Sequence, residues 1–249
     1  MILEGSVSVK AAVLNRKRRV LRILADEKKH DRDLNFILRQ AEEAGIPVER
    51  VKAETVAETA SGRTHGGIIA EAYGRKYETI DDCLKEENPF FALIEGVEDP
   101  FNLGYIARTL YSCGCGGMIL RKREWAEAEA VILRSSAGAF DAMNIVMSDD
   151  PASLVRDLKE KGFRCFAAMR KDAVVYDEPD YTGPVLLAVG GEMRGLSAGV
   201  RQQMDQNIYI PYANDFRNAL NAAGAAAVLG FEVFRQRRIV GRRSGSEAV

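Results

Sequence analysis

Apolar residues recur along the chain in two rhythms. Residues 20–24, 47–51 and 68–73 are short apolar runs bounded by polar or turn residues, which predicts strands. Between them Leu34, Ile37, Leu38 and Ala41 step at helical spacing until Gly45, residues 54–60 predict a short helix, and Gly66 with Gly67 predicts a turn. From residue 74 to 88 the chain turns polar and acidic (Glu78, Asp81, Asp82, Glu86, Glu87), as expected of a linker with at most one short helix. Beyond it, apolar runs at 90–94, 118–120, 145–147, 164–168 and 185–189 alternate with helical stretches at 103–112, 126–133 and 152–161. That alternation predicts an α/β fold with a parallel sheet covered on both faces. The expected division is a small α/β domain at 1–75, a linker at 76–88, a second domain at 89–240 and a flexible tail at 241–249.

Composition changes this picture little. The chain has 249 residues, 47% of them hydrophobic, and a formal net charge of −1, so two domains fit and any nucleic-acid surface must be local. Lys10, Arg16, Lys17, Arg18, Arg19 and Arg22 open the chain, and Arg235, Arg237, Arg238, Arg242 and Arg243 close it. The first cluster reads as an RNA contact; the second reads equally as phosphate contacts or as a solvated helix or tail. Cys83, Cys113, Cys115 and Cys165 contain no C-x-x-C pair and lie far in sequence from His30 and His65, so neither a metal site nor a disulfide framework is expected. No signal peptide and no apolar run of about 20 residues is seen, which predicts a cytoplasmic protein without a membrane partner.

Three stretches carry candidate chemistry. In the first, a strand ending at Glu95 runs through Asp99-Pro100 into a helix for which Asn102 is the expected N-cap. Leu103, Ile106, Ala107, Leu110 and Tyr111 form its apolar stripe, and Arg108 lies roughly 130° from the middle of that stripe. Arg108 is therefore either an ordinary exposed arginine or a ligand-facing group at the carboxyl edge of the sheet, where ligands of open α/β sheets bind. In the second, the apolar run 185–189 empties into Gly190-Gly191-Glu192-Met193-Arg194-Gly195, either a plain turn or a loop letting backbone approach a ligand. It lacks both the Walker pattern and the Rossmann glycine spacing, which argues against a nucleotide-dependent dehydrogenase. The third runs from a short strand at 208–210 through Pro211-Tyr212 and Asn214-Asp215 to Asn218-Ala219-Leu220-Asn221 and an alanine-rich helix. Leu220, Gly224, Ala227, Phe231 and Phe234 read as its packed face.

In this order the three stretches resemble the N-L-G-x-x-x-R, G-x-E-x-x-G and I-P-M…S-L-N motifs of the SpoU (TrmH) branch of the SPOUT RNA methyltransferases. Arg134-Ser135-Ser136-Ala137-Gly138-Ala139 is similar to the R-x-S-A-G-A stretch of that family, and the N-terminal part, down to His65-Gly66-Gly67, is similar to its small RNA-binding domain. The resemblance covers about residues 90–238 and implies a knotted (trefoil) parallel-sheet catalytic domain. It also implies an obligate homodimer with active sites at the subunit interface, and methylation of a ribose 2′-hydroxyl in rRNA or tRNA. It implies that S-adenosylmethionine lies against Gly190, Gly191, Ile210, Leu220 and Ala168. Arg108, Glu192, Asn221 and Asn102 are its implied catalytic set; Arg16, Lys17, Arg18 and Arg19 of the basic opening, with His65 and Tyr212, are the expected RNA contacts.

One departure matters. Ala219 stands where the family has serine, and the segment from Ile210 is one residue longer; Asn218, Asn214 or Asp215 would have to replace the hydroxyl. Tyr212 replaces the usual methionine, and its ring suits stacking on a base. Arg108 is read first as a phosphate and ribose clamp and second as a base, because a guanidinium stays charged. The rival to an RNA 2′-O-methyltransferase is an RNA-binding or cofactor-sensing protein on the same scaffold.

Overall fold

A computed structural model describes residues 1–123, 125, 128–215 and 217–243. The chain opens with β1 (Ile2–Glu4), α1 (Gly5–Asn15), β2 (Val20–Asp26), α2 (Arg32–Glu43), β3 (Val48–Val51), α3 (Ala53–Thr59), β4 (Ile68–Ala72) and α4 (Ile80–Cys83). It continues with β5 (Phe90–Glu95), α5 (Pro100–Ser112), β6 (Gly117–Arg121), α6 (Glu129–Ser135), α7 (Ala139–Ala142), β7 (Asn144–Ser148), α8 (Pro151–Glu160) and β8 (Arg164–Ala168). It closes with β9 (Ala173–Val175), β10 (Val185–Gly190), α9 (Ala198–Gln203), β11 (Gln206–Tyr209) and α10 (Ala222–Arg243).

The described chain forms two compact units: residues 1–77 with 124–142, and residues 78–123 with 143–249. Segment 124–142, which the sequence pattern assigned to the second domain, groups with the first. Its Arg134–Ala139 stretch bends through left-handed Ala137 (φ 52°) and Gly138 (φ 87°), and a Cβ on Gly138 would come within 2.8 Å of Ala11 on α1. The helix expected at 126–133 is α6; residues 126 and 127 lie outside the described residues.

The first unit holds a four-stranded sheet in the order β1-β4-β2-β3, antiparallel except where β2 and β3 run parallel. Leu24, Ile69 and Val56 pack on one side of it. Helix α2 begins where the Asp31 carboxylate accepts from Leu34 N (2.8 Å), and buries Leu34, Ile37 and Ala41, the stripe read from sequence. Arg18 departs from expectation: it does not reach the surface. Its side chain is fully buried, with Nε and Nη2 donating to Asp141 (2.8 and 2.7 Å) and Nη1 to Glu129 (3.0 Å). A guanidinium engaged by two buried carboxylates is not available for phosphate.

The second unit holds a seven-stranded parallel sheet in the order β7-β6-β5-β10-β8-β11-β9. Central β5 and β10 are buried almost end to end, which is why they read as unbroken apolar runs. Phe91, Leu93, Cys165, Ala167, Leu186 and Ala188 belong to the core under α8 and α9. Helix α5 starts three residues earlier than expected. Asp99, not Asn102, is its N-cap, accepting from the amides of Phe101 and Asn102 (3.2 and 3.3 Å), with Pro100 fitting the first helical position. Tyr111, read into the apolar stripe, is 49% exposed.

Helix α10 buries Ala222, Ala226, Leu229, Gly230 and Val233, and leaves Phe231 and Phe234 exposed, so the packed face is not the one expected. A Cβ on Gly230 would sit 2.7 Å from Cys113 Sγ and 3.4 Å from Leu110, so α5 and α10 approach at a spacing only glycine permits. The helix continues through Arg243, so residues 241–243 are helical rather than tail; 244–249 lie outside the described residues. Arg237 is pinned by carbonyls of Asn88, Tyr181 and Gly183 (2.7, 3.1 and 2.8 Å), and Arg235 pairs with Glu232 (2.7 Å). Arg237 thereby ties α10 to the segments at 88 and 181–183, while Arg235 is paired within its own helix.

Candidate active site

The carboxyl ends of β10, β8 and β11 lie side by side, and the chain leaves them through Gly190, Ala168 and Ile210. Strand β10 is inserted between β5 and β8, a reversal of strand order of the kind that opens a crevice in α/β sheets. A cleft of about 560 Å³ occupies this edge. Its walls include all five residues expected to hold a cofactor: Ala168, Gly190, Gly191, Ile210 and Leu220. Glu192, Tyr212 and Asn221 also line it, as do Arg170, Arg194 and Arg201.

The glycine loop is held by backbone. Gly191 N donates to Glu95 O (2.7 Å), Gly195 N returns to Gly191 O (2.9 Å), and Ser197 N donates to Glu95 Oε2 (2.7 Å). Glu95 is buried, and its other oxygen lies 3.5 Å from Arg121 Nε. A Cβ on Gly190 would come within 2.6 Å of Gly195 C, and one on Gly191 would overlap the Gly96 carbonyl. Both positions exclude any side chain. Glu95 was missed as a site-shaping residue; a carboxylate ending an otherwise apolar strand was the available signal.

The third segment is fastened differently. Leu220 N donates to Tyr212 Oη (2.7 Å), the Arg170 guanidinium lies 4.5 Å from the Tyr212 ring centroid, and Arg170 also reaches the Arg217 and Asn218 carbonyls (3.4 Å each). Tyr212 and Arg170 thereby close the loop whose motif serine is Ala219. Asn221 Oδ1 accepts from Gly224 N (2.7 Å), capping α10 with its side chain.

The remaining expected residues lie elsewhere. Arg108 and Asn102 are on α5 and do not line this cleft; Arg108 is exposed, Asn102 half-buried. At 100° per residue, Phe101, Tyr105, Arg108 and Ser112 fall within about 60° of one another, on one exposed face. In the first unit, Arg16 and Arg19 are exposed, Lys17 is half-buried, and His65 is half-buried with Nδ1 accepting from Gly67 N (3.2 Å).

A parallel α/β domain whose ligand cleft is walled by a glycine-rich loop and the start of the last helix is built to bind a small molecule against backbone at its sheet edge. The chain belongs to the SpoU rRNA methylase family, whose sequence profile matches residues 89–231. Residues 2–78 match the substrate-binding domain of RNA 2′-O ribose methyltransferases, and the chain is an RNA 2′-O-ribose methyltransferase. Curated relatives include a putative TrmH family tRNA/rRNA methyltransferase, YacO, of Bacillus subtilis, 29% identical over 82% of this chain and 84% of that one. Another is the 23S rRNA (guanosine-2′-O-)-methyltransferase RlmB of Haemophilus ducreyi, 28% identical over 94% and 96%. Among solved structures, the SpoU methyltransferase AviRb of Streptomyces viridochromogenes shares the fold: TM-score 0.79, 22% identity, 97% of this chain and 90% of that chain. A second AviRb structure, in complex with the cofactor AdoMet, has TM-score 0.78 and 22% identity over 95% and 90%.

Proposed function

We propose that the chain transfers a methyl group from S-adenosylmethionine to a ribose 2′-hydroxyl of ribosomal or transfer RNA, with the cofactor held in the cleft at the ends of β8, β10 and β11. The observation that carries this reading is the convergence of all five expected cofactor contacts on one cleft of about 560 Å³, within the range of small-molecule sites. The cleft fits the cofactor's chemistry: Ile210, Leu220 and Leu229 offer apolar surface to a flat ring, while backbone at Gly190 and Gly191 offers hydrogen-bonding groups without side chains in the way. When bound, the sulfonium supplies an electrophilic methyl group. The chain's own residues must align the hydroxyl oxygen in line with it, the hydroxyl proton passing to water or to the Glu192 carboxylate as the oxygen–methyl bond forms and the sulfonium–methyl bond breaks. Glu192, at the cleft wall, is assigned to orienting the hydroxyl; Arg108, as a permanently charged fork, to clamping phosphate and ribose.

The reading includes a homodimer. Phe101 and Tyr105 on α5, and Phe231 and Phe234 on the packed neighbour α10, are 39–48% exposed, apolar surface of the kind a second copy would cover. Arg108 shares the α5 face, so a second copy's Arg108 would complete the cleft. The reading also includes the trefoil knot, supported by β10 lying between β5 and β8 with its loop pressed on Gly96, and a reducing cytoplasmic setting, supported by four buried free thiols. The non-catalytic rival rested on Ala219, and family membership weighs against it.

The test is incubation of the protein with methyl-labelled S-adenosylmethionine and total RNA, followed by nucleoside analysis. Label is expected on ribose 2′-oxygens, and Arg108→Ala is expected to bind cofactor calorimetrically as the parent does while transferring nothing. Label on a base, or cofactor binding with no transfer by the parent protein, sinks the proposal.

A further inference from the structure

The first unit carries a surface that the cleft does not use. The segments around Arg19 and Tyr73 lie side by side, Tyr73 N donating to Arg19 O (3.0 Å) and Lys76 N to Lys17 O (2.7 Å). This pairs the segment carrying exposed Tyr73 and Lys76 with the one carrying exposed Arg19, which follows exposed Arg16; the Tyr73 ring is 57% exposed and has the Arg19 guanidinium 6.0 Å from its centroid. The nearby carboxylates are already engaged: Asp141 and Glu129 are buried against Arg18, and Glu71 accepts from Arg22 at 2.6 Å. Arg16, Arg19 and Lys76 stay exposed on these segments beside the exposed ring of Tyr73.

A lone exposed tyrosine needs no explanation, and cations alone would suit any polyanion. The combination is more selective. A duplex keeps its bases stacked on one another, whereas an unpaired nucleotide presents a free π-face for an aromatic ring and flanking phosphates for cations. We propose that Tyr73 is a stacking platform for an unpaired base of the RNA substrate, with Arg16, Arg19 and Lys76 holding the adjoining phosphates. The proposal rests on the RNA-methylating reading above and assigns the first unit the task of selecting unpaired RNA.

The full-length protein is titrated with a fluorescein-labelled mixed-sequence 20-nucleotide single-stranded RNA and with the same strand annealed to its complement. Tyr73→Ala should weaken binding of the single strand about five-fold or more, a stacked base being worth ~1–3 kcal/mol, and leave duplex binding unchanged. Tyr73→Phe should bind both as the parent does. Lys76→Ala should weaken both and lower the salt slope by about 1. Far-UV circular dichroism and thermal unfolding, unchanged in every variant, control for folding of the substituted unit. Single-strand binding by Tyr73→Ala equal to the parent's, or an equal loss for both probes, overturns the platform while RNA methylation by the parent still stands, and leaves the surface to another class of partner. A parent protein that methylates no RNA overturns the underlying reading, and the platform with it.

Discussion

Arg18 and its neighbours show how much one side chain's environment decides. Arg16, Lys17 and Arg19 stand at or near the surface, while Arg18 passes inward to Asp141 and Glu129, 123 and 111 residues away. Burial works against its charge, but the hydrogen bonds to Asp141 and the charges of both acids outweigh that cost and hold the guanidinium more firmly protonated than a free arginine. Neither carboxylate has water to fall back on: the Asp141 side chain is wholly buried and that of Glu129 is 4% exposed. Arg18→Ala should therefore cost about 3–5 kcal/mol in denaturant unfolding, because it leaves a buried carboxylate unpaired. Arg18→Lys should recover only part, since an ammonium cannot make the two-pronged contact with Asp141. A loss below about 1 kcal/mol for Arg18→Ala would mean that the cluster contributes little to stability. Nothing in a run of adjacent cations marks which one turns inward, so this residue was not legible from sequence.

Among the elements, α10 against α5 teaches most. The sequence pattern chose the bulky face of α10, and the structure buries the small one, because Ala222, Ala226 and Gly230 let the helix approach closely while the phenylalanines stay outside. Gly230→Ala should push its methyl into Cys113 and cost about 1–3 kcal/mol by overpacking. Adding Cys113→Ala should return much of that, and a double-mutant cycle with no coupling would show that the two helices are not in contact there. The same physics sorts what was readable elsewhere. Buried parallel strands such as β5 and β10 announce themselves as apolar runs, and the stripe of α2 has the helical period. Helix α1 went unread because Gly5–Asn15 mixes small and apolar residues on most sides, and β1 and β9, at three residues each, are too short to show a period. The cleft was legible only through the motif resemblance. Periodicity places Gly190, Ile210 and Leu220 on separate segments, and it is the insertion of β10 between β5 and β8 that brings them together.

At the scale of the whole molecule, the separation between Arg108 and the cleft becomes a prediction about assembly. Arg108 does not line the cleft of its own chain, yet it lies on an exposed α5 face with Phe101 and Tyr105, and the proposed homodimer would use that face to offer it to the other chain's cleft. If the site is shared in this way, two different defects can be repaired by mixing. Arg108→Ala removes the clamp and leaves the cleft intact. Gly190→Ala forces a methyl against Gly195 backbone and should abolish cofactor binding while keeping Arg108. Each homodimer should be inactive in methyl transfer. After subunit exchange, a mixed dimer has one cleft built from the intact loop of the Arg108→Ala chain and the intact Arg108 of the Gly190→Ala chain. An equimolar mixture at exchange equilibrium is half mixed dimers, each with one working site of two, so transfer should return to about one quarter of the parent rate at equal total protein. Recovery should build up on the timescale of exchange and vanish if the chains are cross-linked into homodimers beforehand. A mixture that stays inactive while mass spectrometry detects mixed dimers would place Arg108 in the service of its own chain's cleft and remove the argument for a shared site.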